Sequence, residues 1–233
     1  VRLLVLVHRM AANRLGFPNL YAALNDRAPM SLSEGLSDGT AWPLRPFVQH
    51  ILPLVVAAQM GDRLAVISTL SRECPKLEPA RLRGQATVPV LTALQQALDK
   101  LVALLAAGSQ ATIRDVLTHV RDNELLRLDD RFAVHLVEEP VDDGSSGFEN
   151  VQAYLACGVD ELWAYRCYFT EESPFATHHG VKGAQFERVL VVIDDEEAGF
   201  RQYSYGKYLG YVPLSDKDDA NIEAGEESVL DRT

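Results

Sequence analysis

Apolar and polar positions follow two different patterns along this chain, and the patterns separate short strands from a long helical stretch. Unbroken apolar runs occupy residues 3–7 and 189–193. Such runs are typical of strands that are buried on both faces of a parallel sheet. Between them, most segments repeat their apolar residues every three or four positions, as amphipathic helices do. The pattern therefore predicts two buried strands on either side of a large helical region.

The clearest predicted helix spans residues 88–107, where leucines recur at three-to-four spacing before Gly108. This leucine stripe, from Leu91 to Leu105, is expected to face a hydrophobic core. A helix is expected over residues 47–60, with Pro46 in its first turn and a bend at Pro53. A second is expected after an N-terminal cap at Asp62, and a third begins at Ser109 and includes residues 113–120. Two short helices are expected at 151–156 and 160–169.

Three polar stretches interrupt or follow this helical pattern. Residues 138–147, EEPVDDGSSG, have the composition of a linker. Residues 200–211 are aromatic and contain glycine, which indicates a loop or hairpin. Residues 216–227 are acidic and are expected to be mobile.

Length and composition restrict the class of protein. With 233 residues, 47% of them hydrophobic and 24% charged, the chain has the composition of a soluble globular protein with a sizeable core. No apolar run reaches the roughly 18 to 20 residues that cross a bilayer, and the first residues lack a signal-peptide cleavage site. A cytoplasmic location and no membrane partner are therefore expected. The chain does not begin with methionine, which suggests a piece of a longer protein.

Cysteine usage and net charge narrow the chemistry further. The three cysteines, Cys74, Cys157 and Cys167, form no C-x-x-C pair, so reduced thiols are expected and a zinc site is not. The net charge of −11 argues against tight nucleic-acid binding by this piece alone, because DNA-binding surfaces are usually basic.

The most informative segment is residues 177–195, THHGVKGAQFERVLVVIDD, in which a polar loop with two glycines runs into the second apolar run. α/β proteins place ligand contacts in such loops. The segment resembles motif V of the UvrD/Rep-type superfamily 1 DNA helicases, T-x-H-x-x-K-G-L-E-F followed by a hydrophobic strand. The matching positions are Thr177, His179, Lys182, Gly183 and Phe186, whereas Ala184 and Gln185 depart from the motif.

The start of the chain, LLVLVHRMAANR, is similar to an earlier motif of the same family, a strand followed by Y-R-x-N-A-Q-S-R. Arg9 and Ala12 match, and Ala11 stands where the family often has asparagine. The resemblance implies an α/β fragment: a partial RecA-like parallel sheet with a large, mainly α-helical insertion. Its expected parts are residues 1–14 at the start of the second RecA-like motor domain, a 2B-like helical insertion over 15–172, and the rest of the motor segment with motif V over 173–233.

The resemblance also implies roles for individual residues. Arg9, Thr177 and His179 would contact the backbone of DNA, since a guanidinium, a hydroxyl and an imidazole are good phosphate or sugar donors without a base code. Lys182, Gly183 and Gln185 would contact the nucleotide, with Gly183 allowing close approach of main-chain N–H groups to a phosphate. No residue of the chain is expected to be catalytic or to bind a metal.

Two motifs of a complete motor are not found in the sequence. There is no GxxxxGK[ST] phosphate loop, and no arginine-bearing motif VI precedes the end of the chain. The sequence therefore predicts a fragment of an ATP-dependent 3′-to-5′ DNA helicase or translocase that acts in DNA repair or related DNA processing. The fragment by itself is expected not to hydrolyse ATP. ATP and Mg²⁺ would be cofactors of the parent protein only.

The expected partners are single-stranded or duplex-junction DNA, the remaining helicase domains and, because unpaired strand edges invite pairing, a second copy of the fragment. The sequence is also consistent with a different hypothesis about function. The chain could be a non-enzymatic helical interaction module with a decayed helicase motif. The acidic charge and the departures at Gln185 and Ala11 favour that alternative, whereas the spacing of Thr177, His179, Lys182 and Gly183 favours the motor.

Overall fold

A computed structural model describes residues 3–5, 8–83, 86–137, 140, 144, 146–170, 175–177 and 204–225. The chain divides into two compact units, Val1–Ala176 and Thr177–Thr233. The first is a helical body, and the described part of the second is residue 177 together with 204–225. Among the described residues, no helix combines the length and the apolar composition that a membrane crossing requires.

The elements of the first unit follow one another with short connections. In chain order they are β1 (Leu3–Val5), α1 (His8–Leu15), α2 (Pro18–Asn25), α3 (Met30–Asp38), a π-helical turn (Phe47–Ile51), α4 (Leu52–Gln59), α5 (Arg63–Glu73), a 3₁₀ turn (Pro75–Leu77), α6 (Pro79–Leu82), α7 (Thr87–Leu104), α8 (Ile113–Asp122), a second 3₁₀ turn (Asp130–Val134), α9 (Phe148–Leu155), α10 (Val159–Phe169) and β2 (Phe175–Thr177), whose last residue belongs to the second unit. The second unit also contains α11 (Tyr205–Tyr208) and α12 (Asp216–Ala224).

One continuous hydrophobic core holds the helices of the body together. Helix α2 packs against α9, α4 against α5 and α7, α7 against α8, and α1 against both α2 and α10. Two fully buried tyrosines bond this core to α3 and to the segment after it: the Tyr165 hydroxyl donates to the Leu36 carbonyl in α3 at 2.7 Å, and the Tyr154 hydroxyl donates to the Pro43 carbonyl after α3 at 3.1 Å. Within the described residues, every buried side-chain nitrogen and oxygen has a hydrogen-bond partner.

Proline explains the π-helical turn before α4. Pro53 has no N–H, and its ring would collide with a carbonyl one turn earlier in a regular helix. Ahead of it the helix widens, and the Leu52 N–H bonds to the Phe47 carbonyl five residues back. The expected disturbance at Pro53 thus takes the form of a changed hydrogen-bond register at the start of α4 (Leu52–Gln59).

A close backbone approach requires glycine in α3. A Cβ at Gly35 would lie 2.4 Å from the Ala41 nitrogen and 2.7 Å from its Cα. The Ala41 N–H donates to the Gly35 carbonyl at 3.0 Å, so the chain folds back directly onto the helix. Any side chain at position 35 would push this return apart.

The structure contradicts the predicted fold class. An α/β fragment with a partial RecA-like parallel sheet was expected, but the described residues are mainly helical. Their only strands are β1 and β2, three residues each, which pair in a two-stranded sheet. Strands this short do not form a sheet face that helices could cover, and the apolar residues are used between helices instead. The second predicted strand, 189–193, lies outside the described residues.

The helix predictions are confirmed for α4, α5, α7, α8, α9 and α10, with corrections at their ends. Helix α8 is capped by Thr112 rather than opened at Ser109: Thr112 and Asp115 form a reciprocal capping box. The leucine stripe of α7 is only partly core, because Leu94 to Leu105 are buried but Leu91 is 50% exposed.

The predictions for the last part of the chain need a larger correction. A loop or hairpin over 200–211 and a mobile acidic stretch over 216–227 were expected, yet the described residues there form the short helices α11 and α12. Ser215 and Asp218 form a capping box at the start of α12, and acidic residues in its first turn suit the positive end of a helix. The acidic composition of residues 216–227 suggested a mobile segment, and the capping box that starts α12 was not recognised.

Candidate functional site

Arg9, the predicted DNA contact of the opening motif, lies in the first turn of α1. Its guanidinium pairs with the Asp26 carboxylate and lies 5.5 Å from the centre of the Tyr21 ring. The two charged side chains are 52% and 42% exposed. An ion pair that is this exposed contributes about 0–1 kcal/mol. The arginine is therefore held loosely at the surface, and its contact with DNA remains a prediction.

The neighbouring motif position explains one departure from the family pattern. Ala11, where asparagine is frequent in the family, is completely buried, as is Ala12. A polar side chain at position 11 would enter the core without a solvent-facing route. The missing asparagine is thus consistent with the packing of α1, and position 11 presents nothing to a ligand.

Of the remaining predicted site residues, the structure describes only Thr177. Thr177 has its backbone at the end of β2. His179 and the predicted nucleotide contacts Lys182, Gly183 and Gln185 lie outside the described residues. The proposed roles of all five therefore stay predictions from the sequence.

The described residues contain one concave polar site that the sequence analysis missed, which we call the α8 cavity. It has a volume of about 640 Å³ and lies between α8, α9 and the segment after the second 3₁₀ turn. Its polar lining is Arg114, Thr118, Arg121 and Gln152, and its apolar lining is Leu136, Val137 and Pro140. Volumes of this size are typical of small-molecule sites.

Two consecutive main-chain carbonyls fix the arginines of the α8 cavity. Arg114 Nη1 donates to the His135 carbonyl at 2.5 Å, and Arg121 Nη1 donates to the Leu136 carbonyl at 2.5 Å. Arg121 also pairs with the Asp122 carboxylate at 2.8 Å. Both guanidinium groups are consequently held in place before any ligand arrives.

A hydrogen-bonded chain connects this cavity with the core. Arg114 Nη2 donates to Gln152 Oε1, and Gln152 Nε2 lies 3.1 Å from His135 Nδ1. His135 is 4% exposed, with its ring 5.0 Å from that of Phe148 and 5.9 Å from that of Trp42. Because the Gln152 amide oxygen accepts from Arg114, its NH₂ group faces the imidazole of His135. The cavity wall is therefore rigid at Gln152.

A second concave surface, which we call the α5–α7 groove, has a different character. Its volume is about 590 Å³, and Val66, Ile67, Leu98 and Val102 contribute an apolar floor. Polar side chains of the same two helices border it, among them Arg63 and Asp99. Three large apolar side chains at or near its α5 end are strongly exposed: Met60 at 80%, Leu64 at 81% and Ile67 at 61%. Such exposure on a helix face is typical of interaction surfaces.

Two of the cysteines, Cys74 and Cys157, are buried free thiols, and Cys167 is an exposed one. Burial raises the pKa of the Cys157 thiol to about 12 and also raises the pKa of Cys74, so both remain protonated at neutral pH. Within the described ranges, no group of three or more His, Cys, Asp or Glu side chains is placed to hold a metal ion.

Comparisons with known proteins give no identification. No family model, curated protein or solved structure matches this chain. The likeness to helicase motif V therefore rests on the residues of that segment.

A sequence signal for the α8 cavity does exist in retrospect. Arg114, Thr118 and Arg121 are spaced by four and three residues, which places them on one face of α8. The opposite face carries Ile113, Val116, Leu117 and Val120, all completely buried. The pattern of an amphipathic helix was recognised, but the chemistry of its polar face was not.

Proposed function

We propose that this chain is part of an ATP-dependent 3′-to-5′ DNA helicase or translocase of the UvrD/Rep type, acting in DNA repair or related DNA processing in the cytoplasm. Within that protein it contributes contacts to single-stranded DNA and to the nucleotide, and it does not hydrolyse ATP alone. The observation that carries the proposal is the order and spacing of Thr177, His179, Lys182 and Gly183 ahead of an apolar run.

The path of the backbone in the first unit supports this proposal. Strand β1 (Leu3–Val5) pairs with β2 (Phe175–Thr177), so the chain leaves and returns to one place after a helical body of about 170 residues. The resemblance implies a helical insertion between the opening motif and motif V. A body that begins and ends at paired strands fits such an insertion.

The surroundings of Arg9 are compatible with a DNA contact. Its partner Asp26 is also exposed, and the pair contributes little to stability. A phosphate of the DNA backbone offers the guanidinium a bidentate, charge-assisted contact that can replace the carboxylate. Asp26 then acts as a resting partner for Arg9 in the absence of DNA.

The test uses the complete protein that carries this chain, with DNA-stimulated ATP hydrolysis and strand unwinding as the measurements. His179→Ala and Lys182→Ala are expected to reduce both activities by at least about tenfold, as losses of positioning contacts do. His178→Ala is the matched control, since it removes the neighbouring imidazole, and it should retain both activities.

Two results would contradict the proposal. One is a complete protein whose gene encodes no GxxxxGK[ST] loop before this chain, because no phosphate site could then complete the motor. The other is full unwinding and DNA-stimulated hydrolysis in both His179→Ala and Lys182→Ala. The purified chain itself should show no DNA-stimulated ATP hydrolysis.

A non-enzymatic interaction module is the second candidate, and the α5–α7 groove favours it. Met60, Leu64 and Ile67 expose large apolar surfaces beside that groove. Leu64→Glu and Ile67→Glu would abolish partner binding by such a module and leave DNA-stimulated hydrolysis unchanged in a motor. The two classes of function therefore respond oppositely to the same variants.

A further inference from the structure

We propose that the α8 cavity binds a phosphate group, either free or carried by a small organic molecule. The cavity shares no residue with the positions that carry the proposed helicase function, so this inference goes beyond that function. It depends on the two arginines, on the threonine between them and on the hydrogen bonds that hold both guanidinium groups in place.

Helix α8 carries three hydrogen-bond donors on one face. Arg114, Thr118 and Arg121 lie in successive turns of that face, with the two arginines two turns apart, and all three line the cavity. Each guanidinium carries five N–H groups in a planar fork. The described hydrogen bonds use two of those groups in Arg114 and three in Arg121, which leaves further donors on both side chains.

The arginines need no rearrangement to receive a ligand. The carbonyls of His135 and Leu136 hold one nitrogen of each guanidinium, and Gln152 holds a second nitrogen of Arg114. A free arginine side chain loses considerable rotamer entropy when it binds a ligand. Because these side chains are already fixed, that loss was incurred on folding and does not weaken ligand binding.

The charge of the cavity favours an anion. Arg121 has the Asp122 carboxylate as its partner. Arg114 is partly buried, and in the described part of the chain its hydrogen bonds go only to neutral oxygens, those of His135 and Gln152. A partly buried guanidinium forms strong, charge-assisted hydrogen bonds with an anion that comes into contact with it.

The arrangement of donors selects phosphate among the anions. A carboxylate is satisfied by a single arginine fork, whereas a phosphate has three or four oxygens that accept from several directions. The remaining N–H groups of the two guanidinium groups and the Thr118 hydroxyl supply such directions. The apolar side of the cavity, with Leu136 and Val137, has room for an organic group attached to the phosphate, since about 640 Å³ exceeds the volume of the phosphate alone.

Isothermal titration calorimetry of the complete chain at low ionic strength tests this inference. The probes are inorganic phosphate, pyrophosphate and adenosine monophosphate, with acetate as the carboxylate control. Phosphate probes should bind and acetate should not, and added salt should weaken the binding. Equal affinity for inorganic phosphate and adenosine monophosphate would assign the site to free phosphate. Tighter binding of the nucleotide would assign it to a phosphorylated organic molecule.

Three variants locate the binding in the α8 cavity. Thr118→Val keeps the shape of the side chain and removes its hydroxyl, and Arg121→Lys and Arg114→Lys keep the charge and remove the fork. The lysine variants are expected to raise the dissociation constant about tenfold, and Thr118→Val a few-fold. Arg63→Lys, on the α5–α7 groove, is the matched control and should bind as the unchanged chain does.

The proposal is overturned if none of the phosphate probes binds at millimolar concentration to a chain whose circular dichroism is that of a folded protein. It is also overturned if Arg63→Lys weakens binding as much as Arg121→Lys does. If a lysine variant fails to fold, Thr118→Val still tests the proposal. The Thr118 side chain is partly exposed, and the isosteric substitution leaves the core and the hydrogen bonds of both arginines intact. Unchanged affinity in a folded Thr118→Val and a folded Arg121→Lys would equally exclude this cavity.

Discussion

Helices α8 and α12 begin with the same device and are stabilised in different ways. Each starts with a capping box, Thr112 with Asp115 in α8 and Ser215 with Asp218 in α12. Helix α8 then buries four apolar side chains, whereas no residue of α12 is buried among those described. A cap decides where a helix starts, but burial decides whether its loss unfolds a whole body or only that helix.

The difference extends to the regions that contain them. The body has one continuous core, and both tryptophans of the chain, Trp42 and Trp163, pack against it. Residues 204–225 expose Tyr208, Tyr211 and Ile222 to solvent. Tryptophan fluorescence therefore reports unfolding of the body alone, while amide exchange of residues 204–225 reports the other region.

Truncation of a buried side chain should give the largest contrast. Leu117→Ala in α8 removes a completely buried side chain and is expected to lower the free energy of unfolding of the body by about 2–5 kcal/mol. Ile222→Ala in α12, where the side chain is 43% exposed, should leave that free energy unchanged. Urea unfolding followed by tryptophan fluorescence measures both. Similar losses for the two variants would contradict the expected contrast between a buried and an exposed side chain.

A buried hydrogen bond should give the next largest effect. Tyr165→Phe removes the hydroxyl that donates to the Leu36 carbonyl and is expected to destabilise the body by about 1–2 kcal/mol. Tyr208→Phe, in α11, removes a hydroxyl from a ring that is 57% exposed and is the matched control. The same urea titration applies, and a neutral Tyr165→Phe would mean that the bond to Leu36 adds nothing to the tie between α10 and α3.

Removal of the cap compares the two helices directly. Thr112→Ala should destabilise the body by about 1 kcal/mol, because the Asp115 N–H loses its acceptor in a helix that the core holds together. Ser215→Ala should increase amide exchange within α12 and leave the tryptophan transition unmoved. If Thr112→Ala changed only local exchange in α8, the core would not be coupled to the start of that helix.

The sequence anticipates those parts of the structure that depend on local pattern. The leucine stripe located α7, and the spacing of Ile113 to Val120 located α8. The exposed end of α7 at Leu91 was not anticipated, because the stripe does not show where its partner helices end. Thr112 with Asp115 and Ser215 with Asp218 both fit the capping-box pattern, so these helix starts could have been read from the sequence.

The candidate sites depend on contacts between segments that are distant in the sequence, and the spacing of apolar residues along the chain does not predict such contacts. The α8 cavity arises where α8 meets the carbonyls of His135 and Leu136, a turn of the chain that no local signal places beside Arg114. The predicted sheet failed for a related reason. The apolar run at 189–193 lies outside the described residues, and the described partner of β1 is Phe175–Thr177, a segment without a strand-like apolar run.

The smallest expected difference between the two regions is in their stability at acidic pH, since each contains a carboxylate with a lowered pKa. Hydrogen bonding to Arg131 lowers the pKa of Asp129 in the body from 3.8 to about 2. Lys207, with Ser215, lowers the pKa of Asp218 well below its usual range. Both contributions to stability are complete above a pH of about 4 and are lost as the pH falls through the lowered pKa values. The body is also stabilised by its hydrophobic core, whereas no residue of α11 or α12 is buried among those described, and the Lys207–Asp218 pair joins these two helices.

Lys207→Gln should therefore weaken residues 204–225 in acid and leave the body unaffected. Without the Lys207 ammonium, the pKa of Asp218 rises toward 3.8, so protonation and loss of the α12 cap begin at a higher pH. Chemical shifts of residues 205–224, recorded between pH 7 and pH 2, should show that earlier onset, while tryptophan fluorescence follows the unchanged body. Lys217→Gln removes an exposed lysine from α12 itself and is the matched control. An equal shift of onset in both variants would assign the effect to net charge, and would remove the Lys207–Asp218 pair as the contact that joins α11 to α12.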